Sequence, residues 1–348
     1  MSRLLYRLLA VLVLAATVGG GWLWNDYRLF LHTPMTDTAL NYTLEPGANL
    51  TGVAQDLAQR GLLDKPRYLL LHARLQGNAH RIGAGEYRIE AGATPAEFYR
   101  QLVEGRVVQH ALTIVEGWTF RQMIAAVNAH PQIKHTLLDA SDAQIMAAIG
   151  HGGEHPEGRF LPDTWHFPHG MSDVEFLRRA YTGMQTFLTQ EWPTRDVGLP
   201  LKTPYEALIL ASIVEKETGL ASERAEIAGV FVRRLQRRIR LQTDPTVIYG
   251  MGERYKGNIR RRDLKRDTPY NTYRRHGLPP TPIALPGRAA IRAVLHPAAG
   301  DALYFVARGD GSHYFSATLE EHNRAVIKYQ LKGRKRSFSS YKAENKTK

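Results

Sequence analysis

Cysteine is absent from the 348 residues of the chain. A chain without cysteine cannot form disulfides, bind zinc or an iron–sulfur cluster through thiolates, or use a cysteine nucleophile. The absence is compatible with export but does not establish it. Hydrophobic residues make up 43% of the chain and charged residues 23%. This is a globular composition, so disorder of the whole chain is excluded.

Acidic residues are scarce relative to basic ones. The chain has 33 Asp and Glu against 46 Lys and Arg, so its formal net charge is +13 at pH 7. A surplus of this size predicts an anionic partner or surface. By itself it does not distinguish a membrane surface from a nucleic acid or an acidic polymer.

Charge is also missing from residues 8–24, which read LLAVLVLAATVGGGWLW. With the apolar residues before Arg7, this run approaches the ~20 residues that a membrane-spanning helix needs. Arg3 and Arg7 on its N-terminal side predict a cytoplasmic N-terminus, and Trp22 and Trp24 suit the opposite interface. A cleaved signal peptide and a buried core helix are the alternatives. An anchor and a signal peptide would both export the body of the protein.

Two segments after the apolar run repeat one pattern. Residues 42–57 (YTLEPGANLTGVAQDL) match residues 87–102 (YRIEAGATPAEFYRQL), and a weaker copy covers 114–127 (IVEGWTFRQMIAAV). Each copy predicts a short strand, a glycine turn and an amphipathic helix. A small α/β module is therefore predicted over 40–112. The pattern leaves open whether the module is a spacer or binds a wall polysaccharide or a partner.

The segment 157–170, EGRFLPDTWHFPHG, places Asp163 between a proline and aromatic residues. A carboxylate among aromatic rings could line a sugar cleft. In isolation, however, an aspartate beside proline is more typical of a turn that bonds its own backbone.

Four histidines surround this segment: His151, His155, His166 and His169. Two glycines separate the first pair, so a helix that presents both rings to a metal is not expected, and no HExxH motif is present. We therefore predict no metal site.

The helix predicted over 203–219, TPYEALILASIVEKETG, carries the most informative carboxyl group. On a wheel of about 100° per residue, Glu217 lies at the centre of the apolar face and Glu215 on the opposite side. The apolar face is formed by Ile209, Leu210, Ile213 and Val214. An ionised carboxylate aimed at apolar groups is costly, so Glu217 is predicted to be paired or to keep its proton. A protonated carboxyl can act as the general acid of glycosidic cleavage, and a Glu paired with an arginine of the next helix is the structural alternative.

Two polar segments follow this helix. Gln242, Thr243 and Asp244 form one cluster, and the loop PYNTYRRHGLPPTPIALPG contains Tyr270 and Asn271. Such hydrogen-bonding and stacking groups suit a saccharide cleft, and loops rich in them are commonly binding loops. The arginines over 233–240 suit a helix C-terminus. We predict no nucleic-acid partner, because an exported chain rarely meets one.

Together these segments resemble the endolytic murein transglycosylase (YceG-like) family. The segments that carry the resemblance are FLPDTW (160–165), ASIVEKET (211–218), LQTDPTVIYGMGERY (241–255), YNTY with GLPP (270–280), HPA (296–298), LYFVARGDGSHYFS (303–316) and HNRAV (322–326). The resemblance implies an α+β protein of the bacterial inner membrane that crosses the membrane once and places its catalytic domain in the periplasm. The implied divisions are a cytoplasmic N-terminus and transmembrane helix (1–28), a LysM-like module (40–112), a catalytic domain (113–332) and a basic, disordered tail (333–348).

The resemblance also implies a reaction. Glu217, the second Glu of EKE, would be the catalytic acid, and cleavage of the MurNAc-β-1,4-GlcNAc bond of nascent peptidoglycan would leave 1,6-anhydro-MurNAc ends. The residues expected to bind substrate are Asp163, Gln242, Thr243, Asp244, Tyr270 and Asn271. No metal or cofactor is implied, and the implied partners are glycan strands and penicillin-binding synthases. A hydrolytic muramidase and a non-enzymatic wall-binding scaffold for synthases are the alternative hypotheses.

The predicted topology can be tested with reporters fused after Arg28. Because the positive residues lie on the N-terminal side of the apolar run, only a reporter that works outside the cytoplasm is expected to be active. A cytoplasmic reporter that is active at this position would contradict the topology, and with it a substrate in the wall.

Overall fold

The computed structural model describes residues 2–45 and 47–331. The described chain mixes helices with short strands, which confirms the predicted α+β class. It divides into two compact units, the first holding Met1–His110 with His166–Met171 and the second Ala111–Trp165 with Ser172–Lys348. The predicted tail, 333–348, lies outside the described residues.

The secondary structure comprises α-helices and short strands. The helices are α1 (Ser2–His32), α2 (Leu50–Gln59), α3 (Pro66–Gln76), α4 (Pro95–Glu104), α5 (Phe120–Ala129), α6 (Asp142–Ala148), α7 (Asp173–Glu191), α8 (Pro204–Glu217), α9 (Arg224–Gln236), α10 (Asp244–Met251), α11 (Arg261–Lys265), α12 (Arg288–Leu295) and α13 (Leu319–Tyr329). The strands are β1 (Leu40–Leu44), β2 (Gly85–Ile89), β3 (Gln109–Thr113), β4 (Thr164–Pro168), β5 (Tyr304–Ala307) and β6 (His313–Ser316). In the described part of the chain they pair as β1 with β2, β3 with β4 and β5 with β6.

Helix α1 contains the predicted apolar run. Its part Leu5–His32 is long and apolar enough to cross a membrane, with a mean hydropathy of 1.7, and the side chains over 5–24 are exposed. This fits a single-pass membrane anchor. The helix does not end at residue 28, however, because its last turns place Tyr27, Phe30 and Leu31 in the core of the first unit.

The predicted strand–turn–helix repeat is confirmed in its first two copies; in the third copy, 114–127, the glycine turn and the helix are present, but the preceding strand β3 ends at Thr113, before the copy begins. A strand and a helix flank each repeat turn, and the turns contain glycines with positive φ: Gly47, Gly92 and Gly117. Glycine adopts this conformation without the steric penalty that other residues meet. Strands β1 and β2 are antiparallel, with Tyr42 opposite its repeat counterpart Tyr87.

The core of the first unit is built around aromatic contacts between these repeats. Phe98 of α4 is 1% exposed, and its ring meets Tyr42 and Tyr87 edge to face at centroid distances of 5.7 and 6.3 Å. Such contacts add to the free energy gained by burying the rings.

Helix α8 lies in the core of the second unit and contacts α9, α10 and α12. All of its residues over 207–214 are buried, including Leu208 and Ser212 on the side opposite the predicted apolar face. The expectation of one apolar face is therefore wrong, since neighbouring helices cover this helix all round. When neighbouring helices cover every face of a helix, side chains on any face of it can be buried, including those of its last turn.

Phe98→Ala tests the core of the first unit. Truncating a fully buried phenylalanine is expected to cost about 3–5 kcal/mol. Hydrogen exchange of the full chain should show weaker protection of α2 and α4. The matched control is Leu75→Ala, because Leu75 is 63% exposed and should change stability little. Unchanged exchange in Phe98→Ala would contradict this packing.

Candidate functional site

Glu217 is the last residue of α8. Its side chain is partly buried, and its carboxyl accepts a hydrogen bond from the Thr243 hydroxyl. Burial raises the pKa of Glu217 to about 7, helped by the nearby charge of Asp244 and opposed by the Thr243 hydrogen bond. Burial dominates because a charge loses its hydration on leaving water. Glu217 therefore has the properties of a proton donor near neutral pH.

The loop that carries Thr243 is held against a second loop. The backbone N–H of Gln242 donates to the Thr272 carbonyl over 3.2 Å, and that of Thr243 donates to the Thr272 hydroxyl over 3.1 Å. Thr246 then donates to the Thr243 carbonyl over 2.8 Å. The two polar segments singled out from the sequence thus meet beside Glu217.

Buried Arg234 of α9 fixes the start of the same loop. Its guanidinium donates to the carbonyls of Leu241 over 2.8 Å and of Leu303 over 2.6 Å. Arg234 lies in the last turn of α9, as its place among the arginines of 233–240 predicts, and its side chain points inward and is 8% exposed. A buried guanidinium is tolerated because backbone carbonyls satisfy its donors.

Gln242 and Asp244 flank Thr243 on the exposed side of the loop. Gln242 has φ 53°, a left-handed conformation that non-glycine residues rarely adopt, and such conformations cluster at functional sites. Asp244 accepts a hydrogen bond from the Tyr273 hydroxyl over 2.6 Å. Both side chains are open to a ligand, so their predicted role in substrate binding stays a prediction that the geometry allows.

Tyr270 and Asn271 mainly organise the second loop. Asn271 is 1% exposed, and its amide nitrogen donates to the carbonyl of Arg266 over 2.6 Å while its oxygen accepts from Tyr273 N–H over 2.9 Å. The Tyr270 hydroxyl pairs with that of Thr281 over 2.8 Å. Asn271 has no exposed face in this arrangement, so its substrate role stays a prediction that requires the loop to move.

Asp163 has the contacts of a turn residue. One carboxylate oxygen accepts from the Thr164 backbone N–H over 2.8 Å, and the other meets the Arg288 guanidinium at 3.3 Å. The side chains of the ion pair are about half exposed, 49% for Asp163 and 47% for Arg288. These contacts match the turn that was the alternative to a sugar contact, and the substrate role of Asp163 stays a prediction.

The side chain of Glu215 points in a different direction from the one expected. The wheel directs it away from the apolar core, whereas its side chain is only 6% exposed and lies 3.5 Å from the Arg224 guanidinium. It also accepts the backbone N–H of Gly287 over 2.9 Å, at the start of α12. The expectation was wrong because α8 is covered on every side. The arginine partner considered for Glu217 belongs to Glu215.

Glu157 is a third buried carboxyl group, which was not predicted from the sequence. It is 4% exposed, and it accepts the backbone N–H of Phe120 over 2.9 Å and the Tyr249 hydroxyl over 3.0 Å. Burial raises its pKa to about 7, against the effect of these hydrogen bonds. Its position before the FLPDTW motif gave no local signal of burial.

Glu157 lines a cavity of about 950 Å³ within the second unit. Lys216, which precedes Glu217, and Pro245, which follows Asp244, line the same cavity, together with Phe120 and Tyr249. Its volume and its mixture of aromatic, charged and hydroxyl groups suit a saccharide.

The four histidines of 151–169 are divided between the two units. His151 stacks on Tyr181 at a centroid distance of 3.8 Å, and His155 accepts the backbone N–H of Glu157 over 3.2 Å. His166 and His169 belong to the first unit.

The chain is similar to a family model, to named proteins and to a solved structure that all belong to one family. Residues 42–328 match the model of the YceG-like family. A Bacillus subtilis protein named endolytic murein transglycosylase is 29% identical, and the alignment covers 90% of this chain and 91% of that protein. A protein of the same name from Streptococcus pneumoniae serotype 2 is 25% identical over 91% of this chain and 63% of its own length. The crystal structure of a yceG-like protein from Listeria monocytogenes is 27% identical, with a TM-score of 0.53, covering 83% of this chain and 99% of that one.

The raised pKa of Glu217 predicts how Glu217→Gln changes stability. The Glu217 carboxyl has a pKa of about 7 in the folded protein and its ordinary value of 4.5 in the unfolded chain. The folded state therefore binds the proton more tightly, and the free energy of unfolding falls as the pH rises between these two values. Gln cannot ionise, and its carbonyl can still accept from Thr243. Glu217→Gln should therefore match the wild type below about pH 4 and be about 1–3 kcal/mol more stable at pH 7.

Urea unfolding at both pH values measures this difference. Glu320→Gln is the control, since the Glu320 side chain is 80% exposed and its variant should change stability by less than about 0.5 kcal/mol. Strong destabilisation of Glu217→Gln at neutral pH would show instead that Glu217 is half of a buried ion pair.

Proposed function

The chain belongs to the YceG-like family, and from this premise we propose how it acts as an endolytic murein transglycosylase, with Glu217 as the single acid–base catalyst. The observation that carries the proposal is the Glu217 carboxyl at the end of α8. It is partly buried, its pKa is raised to about 7, and it bonds a hydroxyl rather than a cation.

The reaction begins with protonated Glu217. It gives its proton to the β-1,4 oxygen that leaves C1 of N-acetylmuramic acid, and the bond between C1 and that oxygen breaks. The resulting carboxylate takes the proton of the same sugar's C6 hydroxyl, whose oxygen bonds to C1. Glu217 ends protonated again, no water is consumed, and the strand ends in a 1,6-anhydro ring.

One carboxyl suffices for this reaction because the nucleophile belongs to the substrate. Ordinary glycoside hydrolases use a second carboxylate as a nucleophile or to activate water. An attack within one sugar has a high effective molarity that external water lacks. Thr243 bonds the Glu217 carboxyl and would hold it in position, and the exposed side chains of Gln242 and Asp244 would contact the sugar.

The cavity beside this loop would receive the glycan. Tyr249 offers a ring for a sugar face, and Arg121 and Lys216 offer donors for hydroxyl, amide or carboxylate oxygens. Tyr249 is fixed by its bond to Glu157 and by its ring contact with Tyr270 at 5.0 Å. A wall built from side chains held in this way orients a substrate without further ordering.

The setting of this activity is also a proposal. Helix α1 would anchor the chain in the inner membrane with its N-terminus in the cytoplasm, which places the catalytic unit in the periplasm among growing strands. The module 40–112 would bind glycan in the manner of LysM domains, and penicillin-binding synthases would be the partners that supply strands. The net charge of +13 suits an acidic polymer close to an anionic membrane.

A hydrolytic muramidase is the alternative that one observation favours. Asp244 lies close enough to raise the pKa of Glu217, so it could activate a water molecule as the second carboxylate. Product mass separates the two reactions, because the transglycosylase product is lighter than the hydrolytic product by one water.

Glu217→Gln tests the proposed chemistry on uncrosslinked glycan strands with the purified full chain. Loss of the general acid should lower cleavage at least about 10²-fold while strand binding is preserved. Glu215→Gln is the matched control and should lose less activity, because Glu215 contacts Arg224 and Gly287.

Wild-type products should carry anhydro ends. Normal cleavage by Glu217→Gln would contradict the assignment, and hydrated reducing ends would favour the muramidase. Binding without cleavage by the wild type would favour a scaffold.

A further inference from the structure

We propose that the first unit contains a site for a divalent transition-metal ion, formed by Glu86, His110 and His169. One ligand atom of each residue lies within 4.8 Å of the other two. The three residues come from separate parts of the chain: β2, β3 and the segment that follows β4. The site belongs to the first unit and does not include Glu217, so it goes beyond the proposed function.

The donor set identifies the class of metal. Two imidazole nitrogens and one carboxylate oxygen are ligands typical of Zn²⁺, which binds them at about 2.0–2.2 Å. A hard cation such as Mg²⁺ or Ca²⁺ prefers an all-oxygen shell. The chain therefore offers a site for zinc or a neighbouring transition ion.

The spacing of the ligand atoms is close to what a tetrahedral ion requires. In a tetrahedron with zinc–ligand distances near 2.1 Å, neighbouring ligand atoms are about 3.4 Å apart. His110 Nε2 and Glu86 Oε2 are already 2.9 Å apart. The ligand atom of exposed His169 lies within 4.8 Å of those of Glu86 and His110.

Neighbouring groups orient two of the ligands. Asn41 of β1 donates its amide to Glu86 Oε1 over 2.8 Å, which leaves Oε2 directed at His110. The His110 ring lies 6.4 Å from the ring of fully buried Phe167 and 6.3 Å from that of His169, measured between centroids. Outer groups that hold metal ligands in this way commonly strengthen metal binding.

The exposure of the site predicts how the ion behaves. The side chains of His110 and Glu86 are 22% and 14% exposed, and exposed His169 places the third ligand at the surface. Three protein ligands leave a fourth position for water, as in zinc sites that are not fully closed by protein. The ion would therefore exchange with solvent and tie β2, β3 and the 166–171 segment together when bound.

Zinc binding to the full chain, purified in detergent without a histidine tag and stripped with a chelator, tests this site. Competition with a chromogenic zinc chelator should show one strong site in the wild type. His110→Asn and His169→Asn should each weaken binding at least about 10-fold, and Asn41→Ala should weaken it less. His151→Asn is the matched control in the other unit and should bind zinc as the wild type does.

Two further measurements separate a metal site from a simple Glu–His hydrogen bond. Co²⁺ should give visible tetrahedral absorption bands in the wild type and lose them in His169→Asn, whose exposed position preserves the fold. Zinc should also raise the melting temperature of the wild type only, since a ligand stabilises the state that binds it. Equal zinc affinity in the wild type and both histidine variants, or wild-type binding no tighter than that of a His110→Asn/His169→Asn double variant, would overturn the proposal.

Glycan cleavage gives an independent readout. The chelator-stripped chain should cleave strands as fast as before, because the proposed reaction uses only Glu217. A loss of cleavage that zinc restores in the wild type but not in His169→Asn would contradict the separation of the two sites. A loss caused by Glu217→Gln alone leaves the metal proposal untouched.

Discussion

The hydrogen bond from the Thr243 hydroxyl to the Glu217 carboxyl joins the two parts of the chain that the proposed chemistry needs. Glu217 is held by a helix that is buried all round, and Thr243 by a loop that hydrogen-bonds to Arg234 and Thr272. A hydroxyl partner orients a carboxyl without neutralising its charge. Burial therefore decides the protonation of Glu217, and its pKa stays raised.

Glu215 and Glu217 show how partners divide roles between carboxyls two residues apart. Burial raises the pKa of both. Glu215 lies against Arg224 and accepts a backbone N–H, so it connects α8 to α9 and to the start of α12. The Glu217 carboxyl instead accepts a hydrogen bond from the Thr243 hydroxyl. The first arrangement holds helices together, and the second keeps a proton available for transfer.

Local signals explain what the sequence could predict. The strand–turn–helix repeats follow from glycine turns and capping residues such as Thr94 and Thr119, which act within a few residues. The α8 helix was predictable for the same reason. The sequence identifies the loops that contain Thr243 and Thr272 as polar segments. It does not show that these loops contact each other beside Glu217.

Non-local packing explains the failures. A helical wheel assumes one buried face, and α8 is covered on all sides, so Glu215 was directed to solvent when it is buried. Glu157 is buried where Phe120 of α5 and Tyr249 of α10 both donate hydrogen bonds to it. Arg234 points inward because the carbonyls of Leu241 and of distant Leu303 accept its donors. None of these contacts has a signature within a short window of sequence.

The central claim is that Glu217 keeps its proton near neutral pH. Carbon-13 NMR of the full chain labelled at glutamate carboxyls would follow its titration directly, with Glu217→Gln identifying the resonance and Glu157→Gln separating the other carboxyl whose pKa is about 7. The account predicts that the resonance missing from Glu217→Gln titrates with a midpoint of about 7. A midpoint at the ordinary value of 4.5 would show that Glu217 is ionised at working pH and would contradict its role as the proton donor.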